Sequence, residues 1–157
     1  MAIINRDDIK SELEKVRKGK KVVFTNGCFD ILHIGHVKYL FEAKKLGDIL
    51  VIGVNTDESV KRLKGEKRPI NRLYERMVML DALKPVDMVT YFDEDTPYNL
   101  IKDIVPDVLV KGGDWGVEQI VGHDIVKGNG GKVYSLSYED GFATTNIIEE
   151  IIKRYCV

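Results

Sequence analysis

A chain of 157 residues, 44% apolar and 31% charged, fits a single domain that buries roughly 70% of its unfolded surface without a disulfide or metal staple. Its 24 basic and 25 acidic residues nearly cancel, which leaves no electrostatic footprint for nucleic acid. No apolar run approaches the roughly 20 residues that cross a bilayer, and Met1 to Lys10 turns charged at once, unlike a secretory leader, so a soluble cytoplasmic protein with no membrane partner is expected.

The predicted elements alternate along the chain. A helix over Asp7 to Val16 carries Ile9, Leu13 and Val16 on one side, and a short apolar strand follows at Lys21 to Thr25. Val37 to Leu46 reads as a helix with Leu40, Phe41 and Ala43 on one side, and Ile49 to Asn55 as a buried strand. Lys61 to Pro69 reads as a charged loop and a candidate mobile flap. Asn71 to Leu83 is then a helix bearing Leu73, Met77 and Leu80. Strands at Met88 to Tyr91, Val108 to Lys111 and Lys132 to Leu136 alternate with helices at Pro97 to Ile104, Val117 to Lys127 and Thr145 to Tyr155. Such βαβ units predict an α/β fold, a doubly wound parallel sheet of Rossmann-like type, with ligands bound beyond the carboxyl ends of the strands. No repeat or linker divides the chain, so residues 1–157 are expected to form one domain.

The strongest local signal is Thr25-Asn26-Gly27-Cys28-Phe29-Asp30 at the end of the first strand, followed by His33-Ile34-Gly35-His36 at the start of a helix. A helix N-terminus attracts phosphate through its unpaired N–H groups, and Gly35 permits close approach to the backbone. Histidines three residues apart share one helix face, where they can donate to the same phosphate and stabilise charge developing in phosphoryl or nucleotidyl transfer. Capping or surface histidines are the alternative. Zinc is a poorer one, because no further Cys or His closes a tetrahedral site, and Cys28 and Cys156 are too few and too far apart for a metal knuckle.

The order Gly27-Cys28-Phe29-Asp30 then His33-Ile34-Gly35-His36 resembles the cytidylyltransferase-like family of nucleotidyltransferases. The likeness continues through Gly53 to Glu58, Arg68-Pro69-Ile70-Asn71 with Arg76, Lys111-Gly112-Gly113-Asp114 and Gly141 to Thr145. Within that family, Leu63-Lys64-Gly65, Asp95-Thr96-Pro97 and Pro106 to Asp114 are similar to the adenylyltransferases that act on D-glycero-β-D-manno-heptose 1-phosphate. The resemblance implies ATP and a sugar 1-phosphate as substrates, Mg2+ carried with ATP, no covalent intermediate, and a product for lipopolysaccharide core or another surface glycan. It also implies a separate sugar kinase, since 157 residues leave no room for the kinase domain fused to this unit in some members. A homo-oligomer is compatible with the sequence.

Residue by residue, the resemblance implies that Thr25, Asn26, Gly27, Cys28 and Phe29 cradle the α-phosphate while His33 and His36 neutralise the transferring phosphorus centre. Lys64 and Arg68 would hold the β- and γ-phosphates, a solvated charge run being the alternative. Arg76 would face the triphosphate, or pair with Glu75 on its own helix. Gly112 and Gly113 permit close approach and Asp114 can accept from ribose hydroxyls, with a plain tight turn as the alternative. Trp115 would pack beside the base or close the core. Thr144 and Thr145 open the last helix as phosphate ligands or, for Thr144, as an ordinary cap. Asp30 is the candidate for the acceptor hydroxyls, or a cap for its own turn. His123 is expected on a solvent-facing helix position, and Cys28 is expected to pack as a small apolar residue. Within the same fold, glycerol-3-phosphate cytidylyltransferase and FAD-forming adenylyltransferase are the rival readings. From another class, a non-catalytic nucleotide sensor is the rival.

Overall fold

In the computed structural model, which describes residues 2–137 and 142–156, five parallel strands form one sheet. They are β1 (Val22–Gly27), β2 (Ile49–Asn55), β3 (Met88–Phe92), β4 (Val108–Gly112) and β5 (Lys132–Leu136), in the spatial order β3-β2-β1-β4-β5. Parallel neighbours need crossovers, and helices supply them. α2 (Ile34–Lys44) joins β1 to β2; α3 (Asp57–Lys64) and α4 (Leu73–Asp81) join β2 to β3; α5 (Tyr98–Ile104) leads to β4. A short 3-10 turn (Val117–Gln119) and α6 (His123–Gly128) lead to β5, while α1 (Ile9–Glu14) precedes β1 and α7 (Thr144–Tyr155) follows β5.

Successive side chains on a strand point to opposite faces, and both faces are apolar here. Val22 and Phe24 of β1 with Ile49 and Val51 of β2 pack under α1, α5 and α6 against Leu13, Ile101 and Val126. Val23, Leu50, Ile52 and Val54 fill the other face with Leu40 and Ala43 of α2 and Met77 and Leu80 of α4. This two-sided burial is why β2 is buried from end to end and reads as a continuous apolar run rather than an alternating one. Truncating a fully buried side chain such as Leu50 to alanine costs about 2–5 kcal/mol.

The sheet order places the change of winding direction between β1 and β4, the position where open α/β sheets bind ligands. The ladder itself opens there. β1 pairs with β2 along its whole length, to Gly27 opposite Val54, but with β4 only at Val23 and Phe24. Beyond Phe24 the carboxyl ends of β1 and β4 part and leave a crevice.

Three expected boundaries shift for identifiable reasons. α2 begins at Ile34 because His33 caps it. The helix expected over Val117 to Lys127 breaks at Gly122, whose φ of 90° is left-handed and whose missing Cβ would lie 2.6 Å from Ile101 Cδ1. The loop expected over Lys61 to Pro69 is helical through Lys64. There Thr56 Oγ1 accepts from the Ser59 amide at 3.2 Å, and Lys61, Arg62 and Lys64 lie in the last turn, where cations oppose the helix dipole.

Candidate active site

A cavity of about 580 Å³ occupies the crevice. Its floor is the end of β1 and the turn after it, Asn26 to Asp30, and its walls come from Asn55 of β2, Lys64 and Arg68, Lys111 and Gly112 of β4, and Thr144 and Thr145 of α7. His33 and His36 face it from the start of α2.

The turn after β1 is built around Phe29. Its φ of 48° is left-handed, an uncommon conformation for a non-glycine residue and one that gathers at functional sites. Its ring folds back over Gly27, where an added Cβ would lie 2.9 Å from Phe29 Cε2, and comes within 5.5 Å of the His36 ring centroid. Gly27 therefore makes room for the aromatic support of His36.

The two histidines cap their own helix. Nδ1 of His33 accepts from the Gly35 amide at 3.1 Å, and Nδ1 of His36 accepts from the His33 amide at 3.3 Å. A ring nitrogen that accepts carries no proton, so both neutral imidazoles hold their proton on Nε2, a tautomer assigned from these bonds. The rings lie with centroids 3.9 Å apart, a spacing that disfavours two cations. Burial lowers the pKa of His33. Burial, with the neighbouring His33 as the lesser cause, pushes that of His36 down to about 4. The capping role weighed against catalysis in the sequence is thus real, and it is the device that aims two Nε2–H donors. Gly35 serves the same arrangement: a Cβ there would lie 2.9 Å from the His33 ring and 3.1 Å from Phe142 Cβ.

Around this pair the cations divide. Arg76 is 1% exposed and does not line the cavity. Its guanidinium donates to the carbonyls of Asn71, Cys28 and Asn55 at 3.0, 2.7 and 2.8 Å and to Asp57 Oδ1 at 2.8 Å. The expected contact with triphosphate is replaced by a strut that ties the turn after β1 to the ends of β2 and α4. Arg68 reaches the cavity but donates through Nε to Asp30 Oδ2 at 2.7 Å. Asp30, expected to meet acceptor hydroxyls, is 3% exposed and accepts also from the amides of Ile70 and Asn71 at 2.8–2.9 Å. Burial works to raise its pKa, and these two amides and the Arg68 guanidinium outweigh it, so the carboxyl stays below its ordinary value. The same contacts anchor the far end of the expected flap, leaving Gly65 to Lys67 between two fixed ends.

Lys64 and Lys111 have no carboxylate partner among the described residues. Lys111 Nζ lies 5.1 Å from the Trp115 ring centroid, and its pKa is lowered by burial and then by the proximity of Lys64. Lys111 is the functional candidate that sequence reasoning did not single out. Its signal was a cation at the last apolar position of β4, directly before Gly112-Gly113, where a strand end meets the site.

Several expected contacts lie elsewhere. Thr25 is fully buried, and its hydroxyl hydrogen-bonds the Tyr39 hydroxyl at 2.6 Å. Gly113, at φ 113°, makes a turn whose amide donates to Leu136 O at 2.8 Å; neither it nor the exposed Asp114 lines the cavity. Trp115 is 46% exposed and so does not close the core. Its Nε1 donates to Gly112 O at 3.2 Å. Thr144 is not the cap of α7, a place taken by Ala143; its hydroxyl donates to Ile31 O at 3.0 Å. His123 starts α6, with Nδ1 2.9 Å from Ile120 O. Gly141 lies outside the described residues. The Cys28 thiol is pushed up by burial, against the opposing pull of Lys64, Arg76 and Arg68, which leaves it no activated nucleophile.

A doubly wound sheet, a crevice at its switch point, and a helix-capping histidine pair in one cavity with two lysines that have no carboxylate partner among the described residues define a nucleotidyltransferase domain. Residues 24–149 match the cytidylyltransferase-like family, and the chain belongs to it. It is 57% identical over 145 residues to the bifunctional protein HldE of Marinomonas sp. (strain MWYL1), a match covering 90% of this chain and 30% of that one. It is 55% identical over 152 residues to bifunctional protein HldE of Klebsiella pneumoniae subsp. pneumoniae, covering 96% and 32%. The chain therefore spans about a third of the length of these relatives. A lipopolysaccharide core biosynthesis protein from Thermoplasma volcanium superposes with a TM-score of 0.61 at 31% identity, over 77% of this chain and 98% of that one. A pantoate-beta-alanine ligase from Francisella tularensis shares the fold at a TM-score of 0.64 and 17% identity, over 98% of this chain and 80% of that one. Among the described residues no helix is long and apolar enough to cross a membrane.

Proposed function

We propose that the chain is an adenylyltransferase that joins the AMP unit of ATP to D-glycero-β-D-manno-heptose 1-phosphate, giving ADP-heptose and pyrophosphate for lipopolysaccharide core or related glycan synthesis. The observation that carries the chemistry is the pair of neutral imidazoles whose Nδ1 atoms are held by backbone amides, in one cavity with two lysines that have no carboxylate partner among the described residues. The choice of substrates is supported by the likeness to HldE, by the lipopolysaccharide core protein of T. volcanium and by the motifs Leu63 to Asn71 and Asp95 to Asp114.

A phosphate oxygen of the sugar 1-phosphate attacks the α-phosphorus. The new P–O bond forms as the bond to the β-phosphate oxygen breaks, and pyrophosphate leaves with the electron pair. The acceptor is already an anion, so no strong general base is needed. His33 and His36 donate from Nε2 to the oxygens on which negative charge grows, and remain neutral while doing so. Lys64 and Lys111 meet the β- and γ-phosphates and the departing pyrophosphate. The backbone of Asn26 to Phe29 lies along the α-phosphate, and Thr145, second residue of α7, offers its hydroxyl and amide to the triphosphate.

Magnesium enters as the ion of Mg-ATP. No group of three or more His, Cys, Asp or Glu that could hold a metal exists among the described residues, and Asp30 is committed to Arg68, Ile70 and Asn71. Such a lining suits an ion held by phosphates and water rather than by a protein cage. Pyrophosphate release, measured for ATP and CTP against heptose 1-phosphate and glycerol 3-phosphate, tests the reading. The highest kcat/KM is expected for ATP with heptose 1-phosphate; a higher value for CTP with glycerol 3-phosphate would overturn the substrate assignment.

A further inference from the structure

One buried side chain of the cavity is only half satisfied. Asn55, the last residue of β2, is 3% exposed and lines the cavity. Its Nδ2 donates to Ser59 Oγ at 3.0 Å, and Ser59, fully buried, spends its single hydroxyl proton on Glu94 O at 2.9 Å. That hydroxyl can therefore only accept from Asn55, which fixes the carboxamide with its nitrogen toward Ser59. Asn55 Oδ1 is left without a hydrogen-bond partner among the described residues. Thr90 Oγ1 is the side-chain atom that is both sealed and unpartnered among them. Asn55 Oδ1 is thus not sealed, and the cavity that its residue lines is where it opens.

Asp95 stands on the same wall. β2 and β3 end level, with Asn55 opposite Phe92, and the chain reaches Asp95 shortly after. Two bonds fix this segment to α3: the one from Ser59 Oγ to Glu94 O, and one from Arg62 Nε to Asp95 Oδ1 at 2.9 Å. Asp95 Oδ2 has no partner among the described residues. Two aspartates line the cavity, Asp30 and Asp95. Both oxygens of Asp30 are engaged by the chain itself, so it is Asp95 that keeps one for a ligand.

We propose that Asn55 and Asp95 select the acceptor by taking hydrogen bonds from its hydroxyl groups. A buried carbonyl left without a donor is costly. An amide oxygen and a carboxylate oxygen only accept, so neither suits a phosphate, which is itself an acceptor. They suit a ligand with several O–H donors. Adenine brings a single amino group and ribose a pair of hydroxyls, whereas a heptose brings enough to meet both atoms and Thr96, which lines the cavity beside Asp95. Acceptors placed in this way discriminate strongly, because an analogue lacking the matching hydroxyl leaves them unpaired. The inference rests on the proposed transfer to a sugar 1-phosphate and adds which atoms read the sugar.

Calorimetry with saturating Mg2+ and α,β-methylene-ATP, whose α–β bridge is not cleaved, reads acceptor binding without turnover. In Asp95→Asn, Arg62 can still donate to the remaining oxygen, and the affinity for heptose 1-phosphate is expected to fall about tenfold or more. Asn55→Ala is expected to lower it about tenfold, with the affinity for the ATP analogue within about twofold of wild type in both variants. Circular dichroism checks the fold of Asn55→Ala; if that variant does not fold, Asp95→Asn, at an exposed side chain, decides alone. Heptose 1-phosphate bound as tightly by either folded variant as by wild type would overturn the proposal. So would a loss confined to the ATP analogue, which would give these atoms to the nucleotide. A wild type that binds glycerol 3-phosphate and not heptose 1-phosphate would instead overturn the proposed substrate, and the wall then stands or falls on the variants' affinity for glycerol 3-phosphate. Binding of neither compound would overturn the proposal.

Discussion

The cations on either side of the cavity floor differ in what they have left to offer. Arg76 and Arg68 are tied to carbonyls and carboxylates of the chain itself, whereas Lys64 and Lys111 line the cavity with no carboxylate partner among the described residues, Lys111 beside the Trp115 ring. A planar guanidinium can satisfy several acceptors at once and so holds loops together; an ammonium on a flexible stem suits a ligand that comes and goes. In this site the arginines shape the floor, and under the proposed function the lysines meet the anion.

The sharpest way to break that contrast is Arg76→Met. It leaves three carbonyls and the half-exposed Asp57 carboxylate without their donor, and a loss of about 3 kcal/mol or more in urea unfolding is expected, since each buried acceptor left unmet costs about 1–3 kcal/mol. A variant of normal stability that had lost only ATP affinity would move Arg76 to the side of the lysines.

Next in size is His36→Asn. The amide oxygen can accept from the His33 N–H in place of Nδ1, so the cap survives while the Nε2 donor is lost. Turnover is expected to fall about 10²- to 10³-fold, with ATP binding by calorimetry little changed; turnover equal to wild type would restrict His36 to capping.

Lys64→Ala and Lys111→Ala are expected to raise the KM for ATP about tenfold or more, from the ~1.5–3 kcal/mol of a hydrogen bond to a charged group, without altering the unfolding midpoint. A stability loss with unaltered KM in either variant would class that lysine with the arginines.

The smallest effect expected is on the pH dependence of stability. The folded pKa of His36 is depressed from 6.5 to about 4, so between these values the unfolded chain binds the extra proton. Its contribution is complete above pH 6.5 and is lost as pH falls toward 4. Urea unfolding at neutral pH and near pH 5 should show wild type losing more stability than His36→Asn; equal losses would mean that the imidazole is not held neutral.

Much of the site was legible because it sits on local signals. The glycines and histidines between Gly27 and His36 belong to one strand-to-helix connection, and their spacing alone puts them at a helix N-terminus. Lys111 was harder to read, since a lysine ending a strand looks like a solvated charge until the parting of β1 and β4 opens a cavity before it. Arg76 shares a helix face with Leu73, Met77 and Leu80, at i, i+3, i+4 and i+7, which marks it for burial; what that spacing does not supply is its acceptors, which come from the turn after β1 folding down onto α4.

What the sequence by itself determined is therefore the alternation of strands and helices, the two-sided burial of β2 and the identity of the histidine pair, all of which depend on periodicity and neighbours a few residues apart. Tertiary structure alone decided which cations lack a carboxylate partner among the described residues, that Asp30 holds Arg68, Ile70 and Asn71, and that Gly113 and Asp114 turn outside the cavity. Those outcomes depend on contacts such as Asp30 with Asn71 and Arg76 with Cys28, between segments remote along the chain. A hydrogen-bond donor is committed or available only once the acceptors that fold against it are in place.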